Sequence, residues 1–147
     1  KAQIESKDLE VEQLSSQLVI RIGEKAFFPA DSAFLQPQFI PLVHKIAGIL
    51  ANIPGKVVVT GHTDNSQAPL ELYRSNWELS VLRAASIVHI MLTDPKLDAT
   101  RVIAQGVADA QPRYPNDTAE HRQANRRVEI TLSQGKAAEE SLPILKP

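Results

Sequence analysis

The stretch from Val57 to Arg83, VVVTGHTDNSQAPLELYRSNWELSVLR, decides how the chain folds. Val57-Val58-Val59-Thr60 is a β-branched run, and such residues fit a pleated, largely buried strand better than a helix. Gly61 ends it. His62-Thr63-Asp64-Asn65 then gives four polar residues in a row, where a plain connection needs only a turn signal. Polar loops at the mouth of a buried strand are where sites tend to sit. From Asn76 the chain runs without Gly or Pro to Thr93, and Asn76 is a favoured N-cap, so a helix is predicted there. At about 100° per residue, Trp77, Val81, Ala84, Ala85, Val88, Met91 and Leu92 share one stripe, the expected core face. Asn76, Leu79, Ser80 and Arg83 share another, at the end of the helix nearest Asp64.

This geometry offers a carboxylate and a guanidinium on neighbouring elements, facing one region without having to pair. Arginine presents a planar fork matched to a carboxylate, and aspartate accepts hydrogen bonds from an ammonium group, so the two suit the head of a zwitterionic amino acid. The plainer alternative has Asp64 capping a turn and Arg83 solvated. A catalytic reading makes His62 a general base oriented by Asp64, since residues two apart on a strand point the same way. No Ser or Cys nucleophile is identified beside them, and His44, His89 and His121 are isolated, which disfavours both nucleophilic catalysis and a hydrolytic zinc site.

Composition narrows the rest. With 147 residues, 43% of them hydrophobic, the chain can bury one sizeable core, and a single domain is the default. A formal net charge of −1 argues against a nucleic-acid or anionic-membrane partner driven by bulk charge. The absence of cysteine excludes thiol chemistry and disulfides. No cofactor is implied.

Working outward from the central stretch, Pro54-Gly55 stops a preceding helix in which Phe39, Leu42, Val43, Ile46, Leu50 and Ile53 recur at helical spacing. Before it, Phe28 to Leu35 reads as a loop, and Leu18 to Ile22 as a strand followed by a Gly23-Glu24-Lys25 turn. Residues 1–17, with Ile4, Val11 and Leu18 seven apart, are expected to be a linker or a short amphipathic helix. On the other side, Ser66 to Ser75 is a long loop expected at the surface. Thr100 to Gln105 reads as a strand, Asp117 to Ala124 as a short helix capped by Asp117 or Thr118, and Val128 to Leu132 as a final strand. Arg126 and Arg127 either order the turn before that strand or edge the site. Residues 133–147 are expected to be a flexible tail.

Three words in order carry a family resemblance: Gly61-His62-Thr63-Asp64-Asn65, then Asn76-Trp77-Glu78-Leu79-Ser80-Val81-Leu82-Arg83-Ala84, then Asn125-Arg126-Arg127-Val128-Glu129-Ile130. Residues 18–132 resemble the OmpA/MotB-type peptidoglycan-binding domain. The resemblance implies an α/β (α+β) two-layer sandwich, a mixed four-stranded sheet with helices packed on it in the order βαβαβ(α)β, and no enzymatic activity. It implies that Asp64 and Arg83 hold the diaminopimelate of the peptidoglycan stem peptide, with Thr63, Asn65, Asn76 and Leu79 around them. Asp31 contributes in some members, and Ala30 stands where some relatives carry a bulkier, often aromatic, residue. The long Ser66 to Ser75 join is similar to the TssL (DotU-family) branch of type VI secretion and to MotB, although MotB commonly has a Pro where Arg74 stands. The phrase Pro41 to Ala47, leading through Pro54-Gly55 to Asn65, is similar to the TssL branch. A type VI secretion anchor is therefore the preferred setting, with a MotB-like flagellar stator anchor as the alternative and, of another class, a protein-contact domain that has lost wall binding. The expected setting is a periplasmic domain whose only link to a membrane lies upstream of Lys1, partnered by peptidoglycan and by the other subunits of a secretion or motor complex.

Overall fold

The computed structural model describes residues 9–29, 32–68 and 70–134. Ala30 and Asp31 lie outside them, as do residues 1–8 and 135–147 of the expected linker and tail. The sheet has strands β1 (Leu9–Leu14), β2 (Gln17–Gly23), β3 (Lys56–His62), β4 (Val102–Gly106) and β5 (Arg127–Ser133). Their spatial order is β1-β2-β5-β3-β4, with β3 and β4 parallel and the other neighbours antiparallel. Helices are α1 (Glu24–Phe27), α2 (Ile40–Ala51), α3 (Asn76–Met91) and α4 (Ala119–Asn125). Counted from β2, this is the expected βαβαβ(α)β succession.

Two expectations are corrected. The sheet has five strands, not four, because Leu9–Leu14 is a strand and not a linker or helix. Its apolar spacing serves a period of two: Leu9 and Val11 face the same way opposite Ile22 and Ile20 of β2, while Glu10 and Glu12 point to the other face. Charged side chains also suit an edge strand, since they discourage pairing with a further chain. Ser133, assigned to the tail, closes β5 instead, opposite Gln17 and Lys56.

The core lies between the α2/α3 layer and one face of the sheet. Val43, Ile46, Ala47 and Leu50 of α2 and Ala84, Ile87 and Met91 of α3 meet Ile20, Ile22, Val57, Val59, Val128, Ile130 and Leu132. At the C-terminal end of α2, where helix carbonyls lack intrahelical donors, the Arg101 guanidinium donates to Gly55 O at 2.7 Å and Leu50 O at 3.2 Å, and also to Ile53 O. Gly55 turns the chain at φ 134°, a conformation that glycine adopts without steric cost.

The inward face of α3 differs from the stripe counted on the sequence. Trp77, Val81 and Ala85 are exposed, whereas Leu79, Ser80, Arg83, Ala84, Ile87 and Met91 are buried. The cause is a glycine floor under the helix. A Cβ on Gly61 would come within 2.0 Å of Ser80 O, and one on Gly106 within 2.4 Å of Ser80 Oγ. The helix therefore presses its small Ser80 onto the strand ends, and Arg83, one turn on, is carried inward with it. Ser80 Oγ also accepts from Ala108 N at 3.1 Å. The N-cap is Ser75, whose side chain accepts from Glu78 N, rather than Asn76.

Candidate functional site

The end of β3 places Asp64 just past the sheet. Thr63 is fixed by its N–H donating to Ala108 O at 2.9 Å, and Thr63 Oγ1 donates to Asp64 O at 2.9 Å. Asp64 Oδ1 accepts from Ser66 N at 2.7 Å, a local turn bond of the kind short Asx side chains make. That bond occupies one carboxylate oxygen; the other, Oδ2, accepts from Arg126 Nη1. Asn76, at the start of α3, donates from its amide to Ser66 O at 2.7 Å and reaches Asp64 O at 3.5 Å, tying the loop to the helix.

Arg83 is 2% exposed. Its Nε donates to Ser32 O at 2.8 Å, its Nη1 to Glu24 Oε2 at 2.9 Å, and its guanidinium lies 5.2 Å from the centroid of the Phe28 ring. Its Nη2 is buried with no hydrogen-bond partner. A buried charged donor left unmade costs more than the ordinary ~1–3 kcal/mol of a neutral one, so this nitrogen has strong cause to take an incoming acceptor. Arg83 and Asp64 do not bond each other. Both line a cavity of about 250 Å³ with Glu24, Thr63, Ser66, Gln67, Ala68, Asn76, Leu79 and Arg126.

Of the candidate residues, the structure thus brings together Asp64, Arg83, Thr63, Asn76 and Leu79. Asn65 is exposed at the turn and does not line the cavity. One charged member was not named as a site residue by sequence reasoning. Glu24, read as a plain turn residue, bonds Arg83 through Oε2 while its Oε1 lies 3.5 Å from Arg126 Nε. Arg126 had both a structural and a rim reading; it is at the site, and the Asn125-Arg126-Arg127 word was its signal. Tyr73 was missed as well. It is buried in the loop expected to lie at the surface, its hydroxyl accepts from Ala33 N at 3.0 Å, and it packs with Ala33, Ala68 and Leu79 as the wall beside the cavity. An isolated tyrosine in a polar loop was the available clue.

His62 is not placed for catalysis. It is 3% exposed, both ring nitrogens lack a hydrogen-bond partner, and burial followed by the charge of Arg127 lowers its pKa from 6.5 to about 4. Its charged neighbour is Glu129, at 3.8 Å. Among the described residues no group of three or more His, Cys, Asp or Glu side chains gathers to hold a metal ion.

The OmpA family profile matches residues 27–126. The chain belongs to the OmpA family. Among its relatives is Motility protein B of Bacillus subtilis, 37% identical over 132 residues, which are 89% of this chain and 51% of that protein. The solved cell wall anchor of the type VI secretion system of Pseudomonas aeruginosa is similar at a TM-score of 0.83 and 36% identity, covering 91% of this chain and 93% of that one. The periplasmic domain of Helicobacter pylori MotB shares the fold at a TM-score of 0.74 and 23% identity, over 93% of this chain and 89% of that one. This OmpA-family domain spans about half the length of the Bacillus relative. Among its described residues no helix is long and apolar enough to cross a membrane.

Proposed function

We propose that this OmpA-family domain binds peptidoglycan without cleaving it, gripping the diaminopimelate of a stem peptide. The observation that carries this reading is the pair formed by the buried, unpartnered Arg83 Nη2 and the Asp64 carboxylate on one cavity. The ligand's carboxylate takes the Arg83 nitrogen, and its ammonium group takes Asp64. Two guanidiniums and two carboxylates line the cavity, so a neutral zwitterion enters without changing the balance of charge. Charge-assisted hydrogen bonds contribute roughly 1.5–3 kcal/mol each, which leaves modest affinity after the costs of association. A tethered domain facing a repeating polymer gains the rest through effective concentration.

The setting supported first is the periplasmic part of an inner-membrane protein that fixes a type VI secretion complex to the wall, because the likeness to the Pseudomonas anchor is high in both fold and sequence. A flagellar stator setting is the second reading, favoured by the 37% identity to Motility protein B. The segment preceding the domain in the native protein distinguishes them: a cytoplasmic helical domain and one span in the first, a very short tail and a span carrying an acidic residue in the second.

Asp64→Ala and Arg83→Ala should each abolish pull-down with diaminopimelate-type peptidoglycan, while circular dichroism still reports the folded domain. Retention of binding by both variants would remove the site assignment. Release of soluble muropeptides on prolonged incubation would instead restore an enzymatic reading.

A further inference from the structure

We propose that Glu24 is a positioning residue that aims Arg83 at the ligand carboxylate, an inference that rests on the wall-binding reading above. Arg83 sits on a long flexible side chain, and a guanidinium that is to receive a carboxylate has to present one edge and hold it there. Three elements fix it. Ser32 O takes Nε at 2.8 Å, the Phe28 ring lies against its face, and Glu24 Oε2 takes Nη1 at 2.9 Å. Nη2 is then the one side-chain nitrogen left without an acceptor, on a residue that lines the cavity. Of the three contacts, the one to Glu24 is the charged one, and a charge-assisted bond is roughly twice as strong as a neutral one.

The place of Glu24 in the chain suits this task. It opens α1 directly after β2, its backbone N–H donates to Arg126 O at 3.0 Å, and its side chain is 15% exposed. A carboxylate so anchored cannot follow Arg83 if that side chain turns. Its second oxygen lies 3.5 Å from Arg126 Nε, so Glu24 stands between the two guanidiniums of the site. Without it, Arg83 has no anionic partner of its own and is drawn to the remaining carboxylate, Asp64. That movement closes the space between the two groups that the zwitterion needs. The preference for a ligand with a side-chain carboxylate thus depends on a residue that never touches the ligand.

The test is a calorimetric titration of the wild-type protein, Glu24→Gln and Glu24→Ala with a diaminopimelate-containing stem peptide and with its lysine counterpart, which lacks the carboxylate. Both variants should bind the diaminopimelate peptide about tenfold more weakly and the lysine peptide within about twofold of wild type, so that the preference collapses. Glu24→Gln keeps the shape of the side chain and guards against simple unfolding. Unchanged preference in both variants, or equal weakening toward both peptides, overturns the positioning role. A wild-type protein that shows no preference defeats the wall-binding reading itself. Wild-type preference that is lost in Arg83→Ala but kept in both Glu24 variants defeats only the inference about Glu24.

Discussion

His62 and Arg127 face each other in register across β3 and β5, while Asp64 and Arg126 lie just beyond them toward the same end of the sheet. The two clusters use similar residue types to opposite effect. Arg127 is closed on the protein: it donates to Glu129 Oε2 at 2.7 Å, Asn125 O at 2.9 Å and Gln111 O at 3.1 Å, and Glu129 also takes Arg21 at 3.1 Å. The cluster around Asp64 leaves a donor unmade at Arg83 and borders a cavity. Charge by itself therefore does not mark a site. What separates Arg127 from Arg83 is whether the protein's own acceptors meet every nitrogen of the guanidinium; both residues line cavities, and His62 also keeps unpartnered ring nitrogens.

The contrast is broken most severely at the inner cluster. Arg127→Ala strips Glu129 of its closest partner, two backbone carbonyls lose their donor, and the expected loss is about 3 kcal/mol, the lower end for breaking a buried pair. Urea denaturation measures it, and the fraction still folded should bind stem peptide as wild type does. Arg126→Ala, at a residue whose side chain is 30% exposed, should cost less than about 1 kcal/mol. Equal costs for these adjacent arginines would erase the distinction drawn here.

Nearly as large an effect is expected at the glycine floor. Gly106→Ala drives a Cβ into Ser80, and overpacking of this kind costs typically ~1–3 kcal/mol. Because α3 has to lift, Arg83 moves with it, so ligand affinity should fall together with stability. A variant that loses stability but keeps full affinity would show that the helix position does not set the site.

The pH dependence belongs to the inner cluster. His62 is held neutral by burial, and Arg127 and Arg21 add to that effect against Glu129. Between its ordinary 6.5 and about 4, the unfolded chain takes a proton that the folded chain refuses. Stability therefore falls as pH falls through that window, by up to about 3 kcal/mol at 1.36 kcal/mol per pH unit. Burial alone would raise the Glu129 pKa, but the hydrogen bond and charge of Arg127 outweigh it, and the net shift is downward from 4.5. Its contribution is lost only at the acid end. His62→Gln should flatten the upper part of this limb in denaturation midpoints and leave the Glu129 part in place.

The sequence was readable where a pattern answered to one cause. The β-branched run of β3, the alternation of β5 and the Pro54-Gly55 stop each reflect local chemistry, and the elements stand where those signals lie. Reading failed where a tertiary contact overrode the local pattern. The stripe through Trp77 and Val81 looks like a core face until Gly61 and Gly106 draw Ser80 inward. Leu9–Leu14 looks like a helix because its apolar spacing fits more than one period, and only its pairing with β2 decides between them. At the site, the placing of Asp64 and Arg83 beside one another was legible through the family resemblance carried by their two words, and both line one cavity. Glu24 was not, since its role depends on Arg83 folding back across a separation of 59 residues.

The central claim is that Asp64 and Arg83 together receive the two ionic groups of one amino-acid head. The most direct test is a titration of the wild-type protein with a diaminopimelate-containing stem peptide against its lysine counterpart. The lysine peptide should bind at least about tenfold more weakly, the loss of one charge-assisted contact. Equal affinity for the two peptides, or none for either, would contradict it.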